Sequence, residues 1–201
     1  MKEKILNKIK NLNATDLVVI SFYIILSTVN FIFSSRIEYW ALMNLINTVI
    51  IISVFLIAHY DSKYNSKLLR QVHNWYIVPL IFLTFKELYY MIKPMHGRDY
   101  DELLIMADRL IFGTDPTRFL YQFANPVLTE FLQIVYSSFY FLPIFLGIGL
   151  LMKKRYIAFD YSVFSVVYGF FLSYLGYMLL PAIGPRFTLH NFETTSIEMP
   201  G

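Results

Sequence analysis

Arg186 closes a stretch whose residue types hold it in place. Tyr177 to Phe187 reads Tyr-Met-Leu-Leu-Pro-Ala-Ile-Gly-Pro-Arg-Phe and overlaps the uncharged run Tyr161–Leu180. A run of that length crosses a bilayer as a helix. Pro181 removes a backbone donor and the Gly184-Pro185 pair supplies turn geometry, so the helix is expected to stop there. Arg186 is the first formal charge after Asp160 and falls where the helix meets water. A guanidinium there is a planar, permanently charged fork that matches a phosphate. Two readings stand: an arginine that binds a phosphate ester, and a boundary arginine that touches lipid headgroups. His190, four residues on, either reaches the same ligand or is solvated in a loop.

Other ionisable residues interrupt apolar runs. Lys86 and Glu87 lie in the run from Trp75 to about Ile92, within two turns of its end at Lys93-Pro94. A lysine at that depth either snorkels or faces protein. Glu130 enters the next run from the same side, in a first turn where a carboxylate suits the helix dipole. Lys86 and Glu130 are therefore expected to pair and support the site. Phosphate-binding loops, zinc-protease motifs, nucleophile elbows and dinucleotide fingerprints are absent. His96 and His190 fall on one side of the expected topology but lack an evident third ligand, so no metal and no cofactor is assigned. The sequence has no cysteine, which excludes disulfides, thiolate metal sites and a cysteine nucleophile. A net charge of +3 without a basic face speaks against nucleic acid.

The elements that position these residues are membrane helices. Of 201 residues, 57% are hydrophobic and 15% charged, against about 25% charged in a soluble domain. The fold class is all-α: a polytopic membrane bundle with about five transmembrane helices and an amphipathic helix at the outer face. Residues 1–16 read as a cytoplasmic amphipathic segment, with Ile5, Ile9 and Leu12 on one face. Spans are expected at about 17–33, 39–58, 75–92, 127–152 and 157–180, with a polar segment from His59 to Asn74.

The long segment 93–126 repeats Tyr100, Leu103, Leu104, Ala107, Leu110 and Ile111 at helical spacing. This predicts an amphipathic helix lying on the membrane or over the bundle mouth and stopped at Gly113. Asp115-Pro116 and Asn125-Pro126 each read as an N-cap followed by proline at the first helical position. Residues 181–201 form an outer-face tail. Lysine and arginine concentrate in the N-terminal tail, 59–74 and 153–155, which places the N-terminus in the cytoplasm and Arg186 on the periplasmic, luminal or outer side.

A tyrosine-rich span followed by Tyr-x-x-x-Pro-x-x-Gly-Pro-Arg-Phe resembles the type 2 phosphatidic acid phosphatase superfamily. Asp108–Pro116 and the tyrosine-rich Tyr136–Pro143 are similar to its inositol phosphorylceramide synthase-like branch. The resemblance covers roughly residues 75–190. It implies a lipid phosphate or phosphodiester substrate, a site at the outer face of the bundle, and a phosphohistidine intermediate transferred to water or an alcohol. Only the first of three family motifs carries over. Arg186 matches its arginine, and Leu179 stands where many members have lysine.

The second motif is missing, since no Pro-Ser pair occurs, and Leu42 falls where the nucleophilic histidine should follow Ser35-Arg36. The chain is therefore expected to be a truncated or inactive member, with no catalytic residue of its own. The alternative is a non-catalytic membrane protein: a lipid-binding pseudoenzyme, a partner subunit or a small carrier. In either case membrane lipids are the expected partners.

Overall fold

The computed structural model describes residues 11–184. Arg186, His190 and the N-terminal lysines lie outside the described residues, as does most of the expected amphipathic segment. The helices are α1 (Ala14–Ile32), α2 (Trp40–Tyr64), α3 (Lys67–Trp75), α4 (Ile77–His96), α5 (Asp101–Phe112), α6 (Pro116–Tyr121), α7 (Pro126–Ser138), α8 (Leu142–Met152) and α9 (Tyr156–Leu179). No strand occurs among the described residues.

The core forms around α1. Val19, Phe22, Tyr23 and Leu26 recur at three- and four-residue steps, which puts them on one stripe, and all four are buried. α1 packs against α2 and α9, and α9 also packs against α4 and α8. Phe22 stacks on Phe171 at 4.2 Å between ring centroids. Two polar contacts fix α4 in this core: the Tyr23 and Thr84 hydroxyls lie 2.7 Å apart, and Tyr174 donates to the Ile81 carbonyl at 3.0 Å.

α1 starts earlier than the charge pattern implies. Asn13 and Asp16 form a capping box, each side chain accepting from the other's backbone amide at 2.8 and 2.9 Å. The polar segment expected over 59–74 is helical instead. α2 runs on to Tyr64, Asn65 breaks it at φ 45°, and α3 follows at once.

α1, α2, α3–α4 and α9 are each long and apolar enough to cross a membrane, but the expected span 127–152 is bent by 51° between α7 and α8. Pro143 accounts for the break, because its nitrogen cannot donate and its ring would strike the carbonyl of Phe139 in a straight helix. By length and composition the bent pair is either a broken span or a re-entrant loop. His96 lies against Met178 at one end of the bundle, whereas Phe159 lies against Trp75 at the other. Between His96 and Tyr156 the chain must therefore change ends, and α7–α8 is the apolar stretch that can take it there.

α5 forms over Asp101–Phe112 and stops at Gly113, as expected. Its only buried residue is Asp101, while Leu103, Met106, Leu110 and Ile111 are all more than half exposed. The apolar face of α5 is not laid over the bundle mouth. Its hydrophobic surface, like that of α7, is left exposed by the described residues.

Candidate functional site

The end of α9 carries the proline-glycine stretch, and its local structure follows from backbone chemistry. Leu180 donates to Gly176 at 2.9 Å, the last helical bond, and Pro181 cannot continue the ladder. Gly184 has φ +107°, in the left-handed region that an L side chain adopts only with strain. The amides that leave the helix here find partners on α5. The Asp101 carboxylate accepts Ile183 N–H on Oδ2 at 2.9 Å and Gly184 N–H on Oδ1 at 2.7 Å. Tyr100 N–H donates to the Pro181 carbonyl at 2.8 Å. A turn two residues short of Arg186 is thus clamped from both directions by the start of α5.

α4 contributes a second tie. His96 donates from Nε2 to the Met178 carbonyl at 2.7 Å, satisfying an acceptor in the last turn of α9. Gly97, at φ +68°, ends α4 and lets the chain turn back towards Tyr100. Arg36, from the α1–α2 connection, donates to the Met95 carbonyl at 3.0 Å and closes the same end of α4.

Beside the clamp lies a cavity of about 870 Å³ between the ends of α4 and α9, lined by Lys93, Asp99, Tyr177 and Pro181–Ile183 among others. Lys93 is exposed and forms no ion pair among the described residues. Its place in the last turn of α4 suits the helix dipole. The cavity therefore combines a free ammonium with apolar and tyrosine walls and a fixed turn.

Of the residues singled out in the sequence, Arg186 and His190 lie outside the described residues. Lys86 and Glu130 are not brought together. Lys86 lines a different cavity, on the α2 side of α4, and Glu130 is exposed on α7. α7 starts at Pro126, so Glu130 falls beyond the first turn and gains little from the dipole. Asn125 does cap α7, accepting from Leu128 N–H at 2.9 Å. Asp115 occupies the cap position of α6 but makes no capping bond. Arg109 takes its carboxylate instead, at 2.6 and 3.1 Å.

Asp101, His96 and Lys93 were not read from the sequence as site residues. An acid in the first turn of a helix is ordinary, and nothing in spacing links position 101 to amides more than eighty residues later.

A second polar cluster occupies the opposite end of the bundle. His73 sits between two carboxylates, with Nε2 at 3.0 Å from Asp16 and Nδ1 at 2.9 Å from Asp61. Tyr76 also donates to Asp16, at 2.7 Å, and Arg70 to Asp61, at 2.9 Å. The cluster joins α1, α2, α3 and the start of α4. Among the described residues, no three His, Asp or Glu side chains are grouped to hold a metal ion.

No curated protein and no solved structure matches the chain. Residues 102–199, from the helix that clamps the turn through the turn itself and past Arg186, match the family model of the PAP2 superfamily.

Proposed function

We propose that the Pro181 end of the bundle binds the phosphate ester of a membrane lipid. Arg186 supplies the forked cation, and Lys93 serves in place of the lysine absent at Leu179. One observation carries this reading: the Asp101 clamp fixes the Pro181–Gly184 turn beside a cavity that holds an unpaired lysine. A fixed turn lowers the conformational cost of aiming the next cation at a ligand. The family match over 102–199 supports a lipid phosphate as that ligand.

The finer reading is an inositol phosphorylceramide synthase-like site that faces the periplasm, lumen or exterior, with the N-terminus in the cytoplasm. It rests on Asp108–Pro116, Tyr136–Pro143 and the distribution of lysine and arginine. Phosphoryl transfer through a phosphohistidine needs a nucleophile, and these 201 residues have none at a matching position. By itself, this chain binds without turnover.

The test is a titration of detergent-purified chain with phosphatidic acid. Arg186→Leu should weaken binding roughly tenfold or more, the worth of one bidentate charged contact. Arg186→Lys should recover only part of it, and Lys93→Gln should show a smaller loss. Equal binding by all four proteins would reduce Arg186 to a boundary charge. Turnover of the lipid by the isolated chain would refute the binding-only reading.

A further inference from the structure

Lys86 and Glu87 both line a cavity of about 510 Å³ between α1, α2 and α4. Tyr90 lines both this cavity and the one beside the Pro181 turn. Glu87 is held from beneath: Asn30 and Asn47 donate to the same oxygen, Oε1, at 2.9 and 2.8 Å. Both asparagines are fully buried, and their amide oxygens have no hydrogen-bond partner. The second oxygen of Glu87, Oε2, makes no hydrogen bond among the described residues.

The cluster is therefore short of donors. Acceptors left unpaired in apolar surroundings are costly, and an ionisable side chain within a membrane helix usually serves a ligand or a path. Lys86, next to Glu87 in sequence, is exposed and forms no ion pair among the described residues. An anchored carboxyl group and a free cation thus share one cavity. Its α2 wall is apolar (Leu42, Ile46 and Ile50), and Tyr39 lies at the end where α2 begins.

We propose that this cavity binds an aminophospholipid, a lipid with a phosphate and a primary ammonium. The ammonium donates to Glu87 Oε2, the phosphate meets Lys86, and an acyl chain lies along Leu42, Ile46 and Ile50. A primary ammonium carries three N–H donors. A quaternary ammonium carries none, so the site discriminates by methylation and not by charge. This proposal is independent of Arg186, whose ligand needs only the phosphate.

The experiment titrates detergent-purified chain with dioctanoyl phosphatidylethanolamine, phosphatidylcholine and phosphatidylglycerol. The wild-type chain should bind the ethanolamine lipid roughly tenfold or more tightly than the choline lipid, the value of one charge-assisted hydrogen bond. Glu87→Gln keeps the acceptor for both asparagines but puts an NH2 group where Oε2 stood. It should bring the ethanolamine lipid down to the choline level.

Lys86→Gln should weaken the ethanolamine and glycerol lipids alike. Equal binding of ethanolamine and choline lipids by the wild-type chain overturns the proposal, and so does a preference that survives Glu87→Gln. Thermal protection by sodium chloride over choline chloride, without lipid and lost in Glu87→Gln, overturns it in favour of an inorganic cation. If Glu87→Gln does not fold, the ethanolamine-choline comparison on the wild-type chain still decides.

Discussion

Asp101 illustrates how a single side chain determines what the residues beyond it can do. It is 5% exposed, and its two oxygens take the amides of Ile183 and Gly184. Replacing it with alanine leaves both donors without a protein partner, at a cost of about 1–3 kcal/mol to the local structure. The effect on binding separates two roles. As a bare negative charge near an anionic ligand, Asp101 would oppose phosphatidic acid, and its removal would tighten binding. As a clamp it positions the turn, so Asp101→Ala should weaken binding in the same direction as Arg186→Leu, and a titration of the variant reads the sign directly. Gly184 makes the same point at the backbone. With φ at +107°, Gly184→Ala strains the turn by about 1–3 kcal/mol, although open space surrounds the position. The glycine was legible in the sequence as a turn residue. Its carboxylate partner was not, because a hydrogen bond between distant backbone amides and an ordinary first-turn acid leaves no periodic trace.

The connection between α5 and α6 responds to pH in a direction that can be derived. The hydrogen bonds and charge of Arg109, with Arg118 at 3.8 Å, hold the Asp115 carboxyl below its usual range. A carboxylate stabilised in the folded state contributes fully above the ordinary carboxylate range, and that contribution is lost as pH falls through the lowered folded value. Hydrogen exchange over residues 109–118 should therefore accelerate on acidification in the wild-type chain and be faster but pH-independent in Asp115→Asn, once intrinsic exchange is corrected. At the other end, His73 on α3 ties α1 to α2, and Asp16 beneath it is fully buried. His73→Ala leaves a buried carboxylate short of a partner, at about 3–5 kcal/mol. Arg70→Ala removes a half-exposed ion pair worth about 0–1 kcal/mol. Thermal unfolding in detergent should rank the two in that order. The straight helices were legible because hydropathy alone specifies them. The bend at Phe139–Phe141 and the tie through His73 were not, since a proline inside an apolar run and acids at helix ends read locally as interruptions and caps. The apolar period of α5 was read correctly as helical, but a periodic face does not say whether protein or lipid covers it.

At the scale of the molecule, the bundle has two chemically different ends, and the crossings between them can be counted experimentally. One end gathers Asp16, Asp61, Arg70 and His73, and the other gathers Lys93, Asp101 and the Pro181–Gly184 turn. Because His96 and Met178 share one end while Trp75 and Phe159 share the other, α7–α8 is expected to carry the chain across despite its 51° bend. The chain has no cysteine, so a single introduced thiol reports its own position. Ser66→Cys lies between α2 and α3, Thr114→Cys between α5 and α6, and Lys153→Cys directly after α8. If the bent pair is one crossing, Ser66→Cys and Lys153→Cys are modified from the same side and Thr114→Cys from the other. If α7–α8 dips in and returns, Lys153→Cys joins Thr114→Cys instead. The excess of lysine and arginine near Ser66 and Lys153 predicts that both face the cytoplasm. A membrane-impermeant maleimide applied to intact cells should label Thr114→Cys, and it should label the other two only after permeabilisation. The reverse pattern would put the Asp101 clamp and the residues leading to Arg186 on the cytoplasmic face, and a lipid phosphate bound there would have to come from the inner leaflet.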